Sequence, residues 1–112
     1  MIFNVANQTS LFVYRCNGET DNIFLKNFIT SLQDKGFDKF TVEIEGKFGV
    51  STGGFTVGSS SLGRVTLDFS KCDVITINQS FLNVTNCFVK GLHLNLTGGS
   101  SAIAINGVDS IF

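Results

Sequence analysis

The chain has 112 residues, enough for one compact domain and too few for two ordinary ones. Hydrophobic residues make up 43%, charged residues 15%, and proline is absent, which excludes a disordered tail. A net charge of −1 without any basic block removes the electrostatic attraction that nucleic acids and anionic membranes require.

The first residues, Met1-Ile2-Phe3-Asn4-Val5-Ala6-Asn7, lack the basic stretch and continuous apolar core of a signal peptide. No apolar run reaches membrane-spanning length, so no membrane insertion is expected. The protein is expected to be made in the cytosol, or to have been trimmed of a leader. Residues 1–19 read as an N-terminal arm, with Leu11-Phe12-Val13-Tyr14-Arg15 as a short strand and Cys16-Asn17-Gly18-Glu19 as a turn.

Thr20-Asp21-Asn22 offers oxygen acceptors to the free amides of a first helical turn. Leu25, Phe28, Ile29 and Leu32 recur at three and four residues, the mark of one buried helical face, while Lys26, Asn27 and Gln33 fall opposite. Gly36 ends the pattern. The spacing predicts a helix from Asp21 to Lys35.

The period then switches to two. Phe40, Val42 and Ile44 alternate with Thr41, Glu43 and Glu45, as in a strand with one wet face. Gly46-Lys47 is expected to turn the chain, with Phe48 and Val50 opening another extended piece. Residues 51–63 are rich in Gly and Ser around Phe55 and Val57, and read as a loop or small excursion.

From Val65 onward similar segments return. Thr66-Leu67-Asp68-Phe69-Ser70-Lys71-Cys72 matches Phe81-Leu82-Asn83-Val84-Thr85-Asn86-Cys87, and Ala102-Ile103-Ala104-Ile105-Asn106-Gly107-Val108 fits the same frame. Leu67, Leu82 and Ile103 would form one inward column, and Phe69, Val84 and Ile105 a second. Cys72, Cys87 and Val108 would form a third. Val74-Ile75-Thr76-Ile77 and Leu92-His93-Leu94-Asn95-Leu96 lie between the repeats. Hairpin turns such as Asn-Gly are scarce, which disfavours a sandwich. The expected fold is therefore all-β, a right-handed parallel β-helix (solenoid) with one N-terminal capping α-helix, spanning residues 20–112. The helix would close one open end of the solenoid, with Phe37 and Phe40 at the seam.

The run Asn17-Gly18-Glu19-Thr20-Asp21-Asn22, the amphipathic helix, and then Phe40-Thr41-Val42-Glu43-Ile44-Glu45-Gly46-Lys47-Phe48 come in a recognisable order. Over residues 16 to 50 this resembles the opening of pectate-lyase-like β-helices in phage tailspikes, tail-fibre receptor-binding proteins and related depolymerases. Asn22 stands where a second acid is commoner, and Lys47-Phe48 replaces the usual Thr-Tyr. The resemblance implies an elongated virion protein of the tail, a homotrimer that attaches to the virion and recognises a bacterial surface polysaccharide. Catalytic carboxylates in such proteins lie on later rungs or between subunits.

The residues themselves offer few candidates for chemistry. Glu43 and Glu45 sit on one strand face about 7 Å apart, a separation compatible with glycoside hydrolysis, although alternating acids on a wet face are usually a solvated edge. Asp68 and Asp109 are isolated outward acids. His93 is outward between two leucines, with no acid placed beside it. Glu43, Glu45 and His93 are accordingly glycan-facing candidates, and no catalytic residue is assigned. The glycine pairs at 53–54 and 98–99 lack a following Lys-Ser/Thr, so no phosphate loop is read. Cys16, Cys72 and Cys87 have no spacing that would hold zinc with His93, and buried free thiols are expected. No metal or cofactor is expected. Phe81 and Phe88 face outward and are candidate oligomer contacts, the alternative being packing beneath the 51–63 excursion.

Three functions compete. One is the structural and binding part of a phage receptor-binding protein. A second is the N-terminal portion of a polysaccharide depolymerase, hydrolase or lyase, with its catalytic residues downstream or between subunits. A third is a bacterial adhesin, disfavoured by the missing signal peptide.

Overall fold

The computed structural model describes residues 10–49, 55–58, 63–77, 82–92, 94–96, 105–108 and 110–112. In chain order these hold β1 (Ser10–Arg15), α1 (Asp21–Asp34), β2 (Phe40–Phe48), β3 (Phe55–Gly58), β4 (Val65–Ile77), β5 (Leu82–Thr85), β6 (Cys87–Lys90), β7 (Leu94–Leu96) and β8 (Ile105–Val108).

The strands form two sheets, each parallel throughout. One runs β1-β2-β4-β6, with β7 also pairing the far part of β4; the other runs β3-β5-β8. The strand read from the alternation after the helix is β2, but it does not turn at Gly46. Gly46 takes a positive φ of 106°, which a glycine adopts without strain, and pairing with β4 continues through to Phe48. A register shift between Glu43 and Glu45 absorbs the local irregularity.

The buried set follows the period-two rule. Phe40, Val42, Ile44 and Phe48 of β2, Val65, Leu67 and Phe69 of β4, and Cys87 and Val89 of β6 point inward. Each of the three fully buried phenylalanines (Phe40, Phe48 and Phe69) contributes about 1.5–3 kcal/mol through the apolar surface it removes from water. Phe48 and Phe69 meet edge to face with centroids 6.0 Å apart. Helix α1 adds Leu25, Ile29 and Leu32 to the same core, and Phe28 lies tilted against Tyr14 at 5.8 Å. The helix closes as expected near Gly36: φ is 98° there, and the Phe37 amide reaches back to the Leu32 carbonyl at 3.1 Å.

This architecture corrects the all-β solenoid. The chain is mixed α/β, two parallel sheets and one helix, with no β-helix among the described residues, and α1 is a component of the common core rather than a cap. The repeat frame is what fails. Leu67 pairs with Val42 and Val89 in the larger sheet, whereas Leu82 pairs with Phe55 and Ile105 in the smaller one. Val84 lies opposite Val57 and Gly107, not beside Phe69. Cys72 faces Gly46 and Cys87 faces Val65, so the cysteines occupy no equivalent positions. The physical reason is that alternating apolar residues fit any half-buried strand and say nothing about its partner. Two segments can match position for position and still belong to different sheets. Ile103 lies outside the described residues.

The 65–77 stretch, expected as two pieces, is one long strand whose first part pairs β6 and whose far part pairs β7. All three cysteines are free thiols.

Candidate functional site

The outer face of the larger sheet carries the exposed chemistry. Its side chains are the outward half of the alternation whose inward half builds the core. Parallel pairing stacks them in rows, one strand spacing of about 4.8 Å apart. One row is Leu11, Thr41, Thr66 and Phe88, with Ile111 bridged to Phe88. The next is Val13, Glu43, Asp68 and Lys90, and the third Arg15, Glu45 and Lys71.

The charges in these rows neutralise one another in place. Lys71 Nζ donates to Glu43 Oε1 at 2.8 Å, and Lys90 Nζ lies 3.6 Å from Asp68 Oδ2. Asp68 Oδ1 also accepts from the Ser70 hydroxyl at 2.6 Å and the Ser70 amide at 3.0 Å. The Lys71 hydrogen bond holds the Glu43 carboxyl below its ordinary range, and Glu43 in turn raises Lys71. For Asp68, partial burial pushes upward, but the two Ser70 hydrogen bonds and Lys90 outweigh it, so the carboxyl is lowered. A glycosidase's general acid needs the opposite, a carboxyl held protonated by its surroundings. Glu43 and Asp68 are ionised hydrogen-bond acceptors.

Of the residues singled out from the sequence, Glu43, Glu45 and Phe88 share this face, Phe88 being half-exposed. Phe81, His93 and Asp109 lie outside the described residues. The partners Arg15, Lys71 and Lys90 escaped the sequence reading, because a row is defined by register. The alternation Cys87-Phe88-Val89-Lys90 places Phe88 and Lys90 outward, but nothing in it names Thr66 and Asp68 as their neighbours.

A second polar centre also went unread. Asp21, expected to cap its own helix, is fully buried and turns back toward the turn before it. Its carboxylate accepts from the Tyr14 hydroxyl (2.7 Å) and from the amides of Asn17 (2.7 Å), Gly18 (2.8 Å) and Gly49 (2.9 Å). Its own amide donates to the Gly49 carbonyl at 2.9 Å. Burial, reinforced by the hydrogen bond to Asp21, raises the Tyr14 hydroxyl well above its ordinary value. Asn17 Oδ1 accepts from the Glu19 and Thr20 amides, so the turn folds on itself before α1 begins. Gly49 has no freedom to be anything else: a Cβ there would stand 2.2 Å from the Gly18 carbonyl carbon. The buried charge is tolerable because every acceptor direction is used. This corner joins β1, α1 and the end of β2, and its role is structural.

Among the described residues no group of three or more His, Cys, Asp or Glu side chains is placed to hold a metal ion, and no helix is long and apolar enough to cross a membrane. Comparison with protein-family models, curated proteins and solved structures finds no match for this chain.

Proposed function

We propose that this chain is a non-catalytic binding module of a phage receptor-binding protein, whose sheet face takes a bacterial surface polysaccharide. The observation that carries the reading is the set of paired charges Glu43–Lys71 and Asp68–Lys90 on one sheet face. Such a face offers fixed donors and acceptors at strand spacing without a net field. Sugar hydroxyls, which both donate and accept, suit that pattern. A polyanion would meet Glu43, Glu45 and Asp68 as readily as Arg15, Lys71 and Lys90. Leu11 and Phe88 at the ends of the first row supply apolar surface for a sugar ring. The resemblance of residues 16 to 50 to the opening of tailspike proteins points to the same class of ligand and to virion attachment. A homotrimer would be the family-like assembly. The depolymerase alternative draws no support from Glu43 or Asp68, both of which are lowered.

The test is titration of the labelled protein with a panel of bacterial capsular and O-antigen oligosaccharides, followed by nuclear magnetic resonance. Shifts should concentrate at Glu43, Asp68, Lys71 and Lys90, and Asp68→Asn combined with Lys71→Ala should abolish them. Shifts confined to another surface, or no binding across the panel, would refute the assignment. Sedimentation equilibrium checks the trimer, which a concentration-independent monomer would exclude.

A further inference from the structure

Three free cysteines are described, and strand register sets two of them on either side of one glycine. Cys16 follows directly on β1, its amide donating to the Glu45 carbonyl at 2.9 Å, which places it beside Gly46. Gly46 pairs on its other side with Cys72. The order across the sheet is therefore Cys16, Gly46, Cys72, with no side chain on the middle residue. A Cβ at Gly46 would stand 3.5 Å from the Cys16 Cβ, with nothing but Cys16 itself within 4 Å. The gap above Gly46 is open, and Gly46 is exposed while Cys72 is buried. Cys72 belongs to the hydrophobic core and Cys16 packs against it, so the two side chains share the face that Gly46 leaves bare.

Two strand intervals of about 4.8 Å put the two Cα atoms roughly 9–10 Å apart, beyond the ~7 Å limit for a disulfide. A metal ion between two thiolates spans more: two metal–sulfur bonds of about 2.3 Å separate the sulfurs by about 4.6 Å when in line. Among the described residues no third His, Cys, Asp or Glu completes a set, so a tetrahedral ion such as zinc lacks its ligands here. Soft cations that accept two thiolates in line are the class that fits.

We propose that Cys16 and Cys72, facing each other over Gly46, form a two-thiolate site for a soft, linearly coordinated metal ion of the Cu(I) type. Binding forms two metal–sulfur bonds and releases the proton of each thiol, leaving one negative charge on the dithiolate complex. Because both thiols lose their protons on binding, uptake strengthens with pH. Cys87 lies elsewhere, its sulfur 3.4 Å from the Thr85 carbonyl, and takes no part.

The experiment is anaerobic titration of the reduced full chain with Cu(I) against a competing chelator, followed by thiolate-to-metal absorption and native mass spectrometry. The wild-type chain and Cys87→Ser should each take up one equivalent. Cys16→Ser and Cys72→Ser should bind roughly a hundredfold or more weakly, since each loses the second point of attachment. Copper-edge X-ray absorption of the wild-type complex, which needs no variant to fold, should give two sulfur neighbours in line. Absence of saturable uptake, dependence on Cys87, or three or more sulfur neighbours would overturn the site. Quantitative formation of a Cys16–Cys72 disulfide in the native chain on mild oxidation would overturn the spacing beneath it.

Discussion

The two sheets share parallel pairing and alternating apolar residues, yet different things hold them. In the larger sheet, nine-residue β2 and thirteen-residue β4 pair along most of their length, and α1 and the Asp21 corner lock β2 to β1. In the smaller sheet β3, β5 and β8 are four residues each. Four-residue strands order little backbone per pairing and have no buried polar anchor among the described residues. Long strands with a satisfied buried charge should open only with the whole molecule, whereas short ones can open alone.

The sharpest way to break the comparison is to remove the anchor. Asp21→Ala leaves the Tyr14 hydroxyl and three amides without their acceptor, and should cost about 3–5 kcal/mol in urea unfolding. Thr85→Ala in the smaller sheet should stay within about 0.5 kcal/mol of wild type. A loss at Asp21 below about 1 kcal/mol would show that the corner is decoration.

A matched pair comes next. Val42 in the larger sheet and Val57 in the smaller are both buried and differ in surroundings rather than chemistry. Val42→Ala should cost about 2–3 kcal/mol and Val57→Ala about 1 kcal/mol, because the short strands can close on the space left behind. Equal costs would mean the two sheets are equally tight.

Cys87 stands where the sheets meet: it belongs to β6, but its sulfur lies 4.0 Å from the Val57 carbonyl of β3. Burial pushes its thiol up to about 11 from 9.0. A raised value means the folded state holds the proton more tightly than the unfolded chain does. The stability it contributes is complete below pH 9 and is lost as pH rises through about 11. The wild-type chain should therefore lose on the order of 1–3 kcal/mol relative to Cys87→Ala over that interval. Parallel pH profiles of the two, in which Tyr14 cancels, would contradict the burial of Cys87.

The smallest effect belongs to the outer face. Glu43→Gln breaks an exposed ion pair with Lys71 and should leave the melting temperature unchanged while reducing its dependence on salt. A large fall in melting temperature would make that face part of the scaffold rather than a free surface.

What could be read from the sequence tracks the same division. Helix α1 and strand β2 were legible because each carries its own period, and Gly36 marks its stop through backbone geometry. The second half was legible only as strands. Leu67 and Leu82 obey one pattern but sit in different sheets, since partner choice depends on contacts across the chain that no local pattern encodes. The site divided likewise. Glu43, Glu45 and Phe88 announce an outward face by alternation, whereas the pairing of Glu43 with Lys71, 28 residues on, exists only through the β2–β4 register. Asp21 was visible as a helix-start residue. That it serves the preceding turn and Gly49 follows from the close approach of Gly49 to Gly18, a tertiary fact.

Native-state hydrogen exchange, amide by amide, tests the central contrast most directly. The amides of Val42 and Leu67 should exchange only through global unfolding, with protection equal to the stability measured by denaturant. Those of Val84 and Thr85 should exchange through a smaller opening that leaves the larger sheet intact, and Asp21→Ala should lower protection in β2 far more than in β5. Equal protection in both sheets, falling together in that variant, would contradict the account and make the molecule one cooperative unit.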